Sequence, residues 1–292
     1  MEFPLDVALA RPVTVLPHGT GYWYEPKFDG HRTVIRRTDE SVVLYARSGR
    51  IVTPVWMDLA LAAQEMLRPG TVLDGEAVIW RDGAIDFSAV QARAASTPVR
   101  ARELAAALPA SFAAFDLIAH PDPNLGDVRG RPYTERRRLM LELLEHVAPP
   151  IQAVPATEDR ETALIWFEVL QQQGIEGIVA KRASSTYRGG QRLWEKVRHS
   201  ETVDAPVTGF TGTAARPRHL IVRLPDGRIG RSQQLTPPLA AQVALFLRGT
   251  GQAAEARTPD GEPYRRADEG LVVEVEAGTT RHAVVTVVRV HG

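Results

Sequence analysis

The chain has 292 residues, with 35 basic side chains, 35 acidic side chains and no cysteine. A chain of this length can form two domains. The lack of cysteine excludes disulfides, cysteine-ligated zinc and thiol catalysis, and a formal net charge of zero argues against a uniformly basic surface but not against a local basic groove.

The sequence shows no membrane or export signal. No run of 18 or more apolar residues occurs, so no membrane-spanning helix is expected. The first residues, MEFPLDVALARPV, lack the basic region that begins a signal peptide. We therefore expect a cytoplasmic protein with no membrane partner.

Residues 1–20 are rich in proline and predict an irregular segment that lies over the surface. The following part of the chain, to about residue 200, alternates between strand-like and helix-like patterns. In chain order these patterns predict strands at 23–37 and 41–49, a helix at 55–68, a strand at 71–80, helices at 87–93 and 98–108, a strand at 111–119, helices at 134–146 and 159–173, and strands at 177–182 and 192–198.

The pattern changes near residue 200. Beyond His199 the chain contains short β-like runs between Gly and Pro turns, with a single helical segment at 235–249. Several short strands and one helix within about 90 residues indicate a small β-barrel. We therefore predict two domains, 1–200 and 201–292.

Lysine is rare in this chain. Only Lys27, Lys181 and Lys196 occur, and each lies in a segment that is typical of a strand or turn in an active site. Arginine serves as a surface cation or a phosphate clamp but not as a nucleophile, because guanidinium does not lose its proton. The three positions therefore indicate a need for an amine or a compact ammonium. The alternative is a codon bias that scattered a few lysines by chance.

Lys27 is the candidate nucleophile, in the segment EPKFDGHR. On a strand, Glu25, Lys27 and Asp29 share one face, and Gly30 permits a turn directly after them. Neighbouring cations and a bound metal disfavour the charged form of an amine and so free it for attack. The alternative is a structural Lys–Asp pair on a hairpin.

Two glutamates are candidate metal ligands. Glu76 lies in the apolar strand TVLDGEAVIW, and Glu176 has similar surroundings in GIEGIVAK. A carboxylate within an apolar strand needs a partner, and Mg²⁺ is commonly held by one or two carboxylates together with substrate phosphates. The alternative is a salt bridge from each glutamate to one of the many arginines.

Phe115 and Arg47 are candidate nucleotide contacts. Phe115, in the strand SFAAFDLI, could stack on a base, although packing in the core is the more common role of such a residue. Arg47 precedes Ser48 and Gly49, and this turn could present a guanidinium to a phosphate. The alternative is an arginine in an ordinary hairpin turn.

Taken in order, these segments resemble the ATP-dependent DNA ligases, which are covalent nucleotidyltransferases. The segments that carry the resemblance are KFDGHR at 27–32, ARSG at 46–49, DGEAV at 74–78, FAAFD at 112–116, EGIVAK at 176–181 and WEKVR at 194–198. A single KxDG is weak support, but the whole series in the family's order and with sensible gaps is specific. The resemblance covers roughly residues 22–200 and is closest to the minimal two-domain bacterial type.

The resemblance implies an α+β fold: a nucleotidyltransferase (adenylation) domain with antiparallel sheets and flanking helices, followed by an oligonucleotide-binding (OB) fold barrel. It implies an enzyme that uses ATP and Mg²⁺ or Mn²⁺ to seal nicks in double-stranded DNA. It also implies a monomer that is cytoplasmic and associated with the nucleoid.

The resemblance also implies roles for individual residues. Lys27 would form lysyl-AMP. The roles of the others would be as follows: Glu25 reads the adenine amine, Phe115 stacks on the purine, Arg32 and Arg47 contact the ribose and the 5′-phosphate of a nick, Lys181, Lys196 and Arg198 neutralise the α-phosphate, and Glu76 and Glu176 hold Mg²⁺.

The chain departs from the family pattern at two places. Arg198 stands where many members have lysine. The basic motif that ends the barrel of ligases has candidates in Arg281 and Arg289, but no acidic residue follows them. Two other functions remain open: an RNA ligase or capping-type nucleotidyltransferase, and an inactive nick-binding module with the same fold.

Overall fold

The structure is a computed structural model, and it describes residues 1–13, 15–199, 202–225, 227–247, 255–257, 261, 263–267, 270–277 and 284–291. The chain divides into two structural units, Met1–His199 and Ser200–Gly292.

The first unit contains ten strands and five α-helices within its described residues. In chain order they are β1 (Ala10–Pro12), β2 (Tyr22–Phe28), β3 (His31–Arg37), β4 (Val42–Ala46), α1 (Met57–Met66), β5 (Val72–Arg81), β6 (Ala84–Ile85), α2 (Phe87–Ala94), α3 (Pro98–Ala107), β7 (Ala110–Ala119), α4 (Tyr133–Leu144), β8 (Ile151–Ala153), α5 (Arg160–Val169), β9 (Ile175–Arg182) and β10 (Trp194–Arg198). Short 3-10 helices lie at Thr53–Val55 and Gln171–Gln173.

The strands of this unit form two sheets. A four-stranded sheet has the order β1-β10-β9-β2, and a six-stranded sheet has the order β4-β3-β5-β7-β8 with β6 paired to β5. β1 is parallel to β10 and β8 is parallel to β7, whereas the other pairs are antiparallel. The chain passes from the first sheet to the second between β2 and β3, after Phe28, the residue that follows Lys27.

The two faces of the six-stranded sheet have different partners. On one face Leu44 and Leu73 pack with Trp56 and Leu59 beside helix α1, in a cluster that also includes residues of α2, α3 and α4. On the other face the buried side chains pack with Trp194 of β10. Burial of apolar side chains against helices on one face and against a second sheet on the other stabilises the two-sheet arrangement.

Gly30 lies in the tight turn that joins the two sheets. A Cβ atom added to Gly30 would lie 2.4 Å from the backbone oxygen of Ala77 and 2.8 Å from Cγ of Glu76. No side chain fits in that space without moving β5. The glycine in KFDGHR therefore allows Lys27 to approach the strand that carries Glu76.

The second unit forms a barrel. Its described elements are β11 (Thr202–Thr213), β12 (Arg216–Arg223), β13 (Ile229–Ser232), α6 (Pro237–Leu247), β14 (Glu255–Arg257), β15 (Pro263–Arg266), β16 (Val272–Ala277) and β17 (Val284–His291). Five strands, in the order β11-β12-β13-β17-β16, close a ring because β16 also pairs with β11. Phe210, Leu220 and Val273 fill the interior together with Val243 of α6. The predicted α+β fold with an OB-like barrel is confirmed.

The N-terminal segment differs from the sequence prediction. Residues 1–20 were expected to lie irregularly over the surface, but Val7, Ala8 and Leu16 are buried and β1 joins the four-stranded sheet. The prediction is wrong here because the prolines favoured an irregular segment, whereas the short apolar run between them packs against a distant part of the chain. No helix among the described residues is long and apolar enough to cross a membrane.

We predict that Gly30→Ala lowers the free energy of unfolding by about 1–3 kcal/mol, since the added methyl group must displace β5. Thermal unfolding followed by circular dichroism measures this loss. Gly130→Ala is the matched control, because a Cβ atom there meets nothing within 4 Å. Equal melting temperatures for the two variants would contradict the close packing of the turn.

Candidate active site

A cavity of about 190 Å³ lies between the two sheets of the first unit. Nine of the ten residues singled out from the sequence line it: Glu25, Lys27, Arg32, Arg47, Glu76, Phe115, Lys181, Lys196 and Arg198. The tenth, Glu176, contacts both Lys27 and Arg198. The fold thus brings together side chains that are widely separated in sequence.

The floor of the cavity is one face of the four-stranded sheet. One row across β2, β9 and β10 consists of Lys27, Gly177 and Arg198, and a second row consists of Glu25, Val179 and Lys196. Residues directly opposite each other on neighbouring strands project to the same face. The pairing register therefore places two lysines, one arginine and one glutamate on a single surface.

Lys27 is held at the end of β2 by an ion pair. Its Nζ donates a hydrogen bond to Oε2 of Glu176, and Oε1 of the same carboxylate forms an ion pair with Nε of Arg198, 2.8 Å away. Gly177 lies beneath this group, and an added Cβ atom would lie 2.0 Å from the carbonyl oxygen of Val197. The glycine therefore permits the close approach of the two strands that carry Glu176 and Arg198.

Cations concentrate around Lys27. Lys196, Arg198 and Arg47 line the same cavity. Partial burial, together with the charges of Arg198 and Lys27, lowers the pKa of Lys196 to about 8. A bound phosphate would reverse this effect, because an anion stabilises each of the neighbouring positive charges. The arrangement is suited to binding an anion.

Glu76 is the acidic residue that fits a metal ion best. Its carboxylate forms no hydrogen bond or ion pair with any residue that the structure describes, and burial raises its pKa to about 8. Burial and the nearby Glu176 also raise the pKa of Asp29. A divalent cation would compensate the negative charge of the partly buried Glu76. Glu176, by contrast, already has two cationic partners, Lys27 and Arg198.

Within the described part of the chain, no group of three or more His, Asp or Glu side chains forms a ready metal site. The donors present therefore fit a metal ion that takes its remaining ligands from substrate phosphates and water, as Mg²⁺ commonly does.

Arg32 is fixed by a buried network. Nε and Nη2 of Arg32 donate to the Asp74 carboxylate at 3.1 and 2.6 Å. The hydroxyl of Tyr187 donates to the same carboxylate at 2.7 Å. The Arg32 guanidinium lies 5.1 Å from the ring centre of Phe115 and 5.3 Å from that of Trp194. A paired guanidinium between two aromatic rings has little freedom to move.

Glu25 and Lys181 form a second buried network at the aromatic end of the cavity. Nζ of Lys181 lies 2.8 Å from Oε2 of Glu25 and donates to the carbonyl oxygen of Phe115 at 2.7 Å. The hydroxyl of Tyr133 donates to Oε1 of Glu25 at 2.5 Å. The Lys181 ammonium also lies 4.2 Å from the ring centre of Trp194. These contacts keep Lys181 beside the candidate base platform.

Phe115 is partly buried and lines the cavity. Its ring meets that of Trp194 edge to face, with the ring centres 5.9 Å apart and an interplanar angle of 89°. This contact fixes the orientation of the Phe115 ring, which suits stacking on a planar ligand.

Several residues of the site were not singled out from the sequence. They are Tyr133, Tyr187, Arg192 and Trp194. Trp194 had a detectable signal, since it precedes Lys196 by two positions on the same strand and so shares its face. Of the two candidate C-terminal arginines, Arg281 lies outside the described residues, and Arg289 lies 3.1 Å from Glu274 in the barrel.

The ATP dependent DNA ligase domain family matches residues 9–198, which is more than half of the chain and includes all ten candidate residues. The chain belongs to the ATP-dependent DNA ligase family. The predicted resemblance is thereby confirmed at the level of the family.

Named relatives extend this result. DNA ligase C2 of Mycolicibacterium smegmatis is 37% identical over 207 residues, which cover 71% of this chain and 57% of that protein. DNA ligase C of Mycobacterium tuberculosis is 36% identical over 211 residues, which cover 71% of this chain and 58% of that protein. The SPbeta prophage-derived DNA ligase-like protein LigB of Bacillus subtilis is 30% identical over 223 residues, or 74% of each chain. The matches thus span less than two thirds of the two mycobacterial ligases.

Solved ligase structures share the fold. A Lig E DNA ligase aligns over 97% of this chain and 99% of its own, with a TM-score of 0.62 and 18% identity. The ligase domain of LigD from M. tuberculosis aligns over 100% of this chain and 96% of its own, with a TM-score of 0.59 and 24% identity. At these identities the similarity concerns the fold alone.

We predict that Glu76→Gln stabilises the metal-free protein at pH 8, by roughly 1–2 kcal/mol. Because the folded-state pKa of Glu76 is raised to about 8, the folded protein retains a proton that the unfolded chain loses near pH 4.5. The wild-type protein therefore loses stability as the pH rises from about 4.5 to about 8, and the glutamine variant lacks this loss.

Thermal unfolding in EDTA at pH 5 and at pH 8 measures the effect, with the exposed Glu65→Gln as control. The gain from Glu76→Gln should be large at pH 8 and small at pH 5. Added Mg²⁺ should raise the melting temperature of the wild-type protein more than that of the variant. A variant that melts below the wild type at pH 8 would show that the Glu76 charge is stabilised by the protein itself.

Proposed function

We propose that this chain is an ATP-dependent DNA ligase that seals nicks through lysyl-AMP and DNA-adenylate intermediates. The observation that carries the proposal is the position of Nζ of Lys27, inside a cavity that also holds Phe115, Glu76 and a group of cations. Membership of the ligase family and the names of the relatives support it.

The cavity suggests an orientation for ATP. Phe115 would stack on adenine, and Glu25 would lie at the same end, where Lys181 holds it. Lys27, Lys196 and Arg198 would surround the α-phosphate. The contacts of Lys181 favour a place at the base end over the phosphate role that the resemblance implies.

In the first step Nζ of Lys27 would attack the α-phosphorus of ATP. A nitrogen–phosphorus bond forms, the bond from the α-phosphorus to the bridging oxygen breaks, and pyrophosphate leaves. The Lys27 ammonium must first lose a proton, and Glu176, which accepts its hydrogen bond, could take that proton. A metal ion held by Glu76 would neutralise charge on the triphosphate.

In the second step the 5′-phosphate at the nick would displace Lys27 from the α-phosphorus. In the third step the 3′-hydroxyl of the nick would attack that 5′-phosphate, and AMP would leave. Both transfers need the reacting groups in line and the developing charge neutralised. Arg32 and Arg47, which line the cavity, would contact the ribose and the 5′-phosphate.

We further propose that residues 1–200 form the adenylation domain and that the barrel, 201–292, contacts duplex DNA. Contacts to phosphates would make binding independent of sequence and sensitive to salt. The protein would act as a monomer in the cytoplasm, close to the chromosome. A gel assay on a nicked duplex with ATP and Mg²⁺ tests the whole proposal, and a parallel test with GTP and with nicked RNA separates it from capping and RNA-ligase activities.

We predict that Lys27→Arg abolishes the AMP adduct while the fold is retained, because arginine keeps the positive charge but cannot act as a nucleophile. Mass spectrometry after incubation with ATP and Mg²⁺ measures the adduct, and circular dichroism checks the fold. Sealing from ATP by this variant would overturn the assignment of Lys27. A wild-type protein that forms no adduct under any condition would favour the inactive nick-binding module.

We predict that Phe115→Ala weakens use of ATP more than sealing of pre-adenylylated nicked DNA. The ring contributes base stacking of about 1–3 kcal/mol to ATP binding, and this contribution matters less once AMP is attached to the DNA. Initial rates with ATP and with pre-adenylylated DNA measure the difference. Equal losses in both assays would count against stacking on the base.

A further inference from the structure

The N-terminal segment Phe3–Ala10 packs into the first unit next to the nucleotide cavity. Its central residues Val7 and Ala8 are buried, with 4% and 1% of their surface exposed. They belong to a cluster that includes Tyr187 and Trp194. Leu9 and Ala10, at the end of the segment, line the cavity itself.

The C-terminal end of this segment is hydrogen-bonded to the loop that precedes β10. The amide of Gly190 donates to the Val7 carbonyl oxygen at 3.0 Å, and the amide of Leu9 donates to the Gln191 carbonyl oxygen at 2.9 Å. The amide of Trp194 donates a hydrogen bond to the Leu9 carbonyl oxygen at 3.3 Å. These bonds fix a loop whose side chain Arg192 lines the cavity.

The N-terminal end of the segment contacts strands β3 and β4 and the turn after β4. The ring of Phe3 stacks on that of Tyr45, with centres 5.4 Å apart. The guanidinium of Arg36 lies 4.1 Å from the Phe3 ring centre. Pro4 lies against Gly49, where an added Cβ atom would be 3.0 Å from the proline ring. Tyr45 and Gly49 flank Arg47 on its two sides.

Arg47 and Arg192 depend on their backbones for position. Both are exposed and both line the cavity. Arg47 forms no hydrogen bond or ion pair with the part of the chain that the structure describes, and Arg192 reaches the carbonyl oxygen of Ala10 at 3.4 Å. Among the described residues no carboxylate pairs with either of them, in contrast to Arg32, which pairs with Asp74.

We propose that Phe3–Ala10 is a brace that positions both arginines to bind the 5′-phosphate of nicked DNA. Phe3 is then a positioning residue that acts through Arg47, and Arg192 is a further phosphate-binding residue. The inference rests on the proposed function for the identity of the ligand. The position of the turn after β4 does not depend on which ligand binds. One experiment therefore tests the position of that turn, and a second tests binding of the 5′-phosphate.

The first experiment measures the turn directly and needs no activity. Hydrogen exchange of peptides that cover 42–52 is compared between wild type and Phe3→Ala, with Phe3→Tyr as the conservative variant and the exposed Leu61→Ala as control. Phe3→Ala should speed exchange at Gly49, whose amide donates to Ala46 at 2.8 Å, by at least about fivefold. Unchanged exchange overturns the brace, whatever the enzyme does.

The second experiment separates the steps of the reaction. In a single turnover, protein already carrying AMP is mixed with increasing nicked DNA, and the DNA concentration needed for half-maximal transfer is measured. Phe3→Ala should raise this concentration about tenfold while the rate of Lys27 adenylylation stays within about twofold, and Phe3→Tyr should restore the wild-type value. Equal loss in adenylylation and DNA transfer would indicate a general structural defect and overturn the proposal.

A double-mutant cycle tests whether Phe3 acts through Arg47. In an Arg47→Ala background, Phe3→Ala should change the DNA concentration for half-maximal transfer by less than about twofold, because the group that it positions is gone. Full additivity of the two losses would overturn the proposal. If the wild-type protein seals nicks and the Phe3→Ala variant seals them equally well, the brace is refuted and the ligase assignment stays intact.

Discussion

The pairing register of β2, β9 and β10 is the constraint on which the rest of the site depends. It sets Lys27 opposite Gly177 and Gly177 opposite Arg198. Successive residues of a strand point to opposite faces, so a slip of one position would turn Lys27 out of the cavity. Gly177 makes this register possible, because a side chain there would collide with the backbone of β10. Gly30 and Gly177 thus serve the close approach of neighbouring strands.

Burial in the cavity between the two sheets has an energetic cost for Glu76 and Lys196. Both groups line the cavity, and burial shifts the pKa of each toward its uncharged form, to about 8 in both cases. Their charges are therefore poorly stabilised in the absence of a ligand. A nucleotide that brings negative phosphate and a divalent cation would compensate both at once. Such a site reduces the stability of the empty protein in favour of ligand binding.

Much of the fold and site could be predicted from the sequence, because motif segments and short β-like runs are local signals. Lys27, Glu76 and Phe115 could be selected as candidates in this way, and the barrel was correctly predicted. The partners Tyr133 and Tyr187 could not, because they bond to acidic residues 108 and 113 positions away. Such contacts follow from sheet register and loop path, which no local pattern encodes. The burial of the proline-rich N-terminal segment was missed for the same reason.

The two ends of the cavity satisfy their polar groups in opposite ways, and this difference suggests how substrate exchange can occur in one rigid site. At the aromatic end Glu25, Lys181 and Tyr133 are paired with one another and almost fully buried. A network of this kind costs much free energy to disturb, so the aromatic end should keep one geometry when a ligand binds. At the other end Glu76 and Lys196 lack such compensation. In the proposed reaction, phosphates would react there, and a metal ion would bind and leave, without breaking the buried network at the aromatic end.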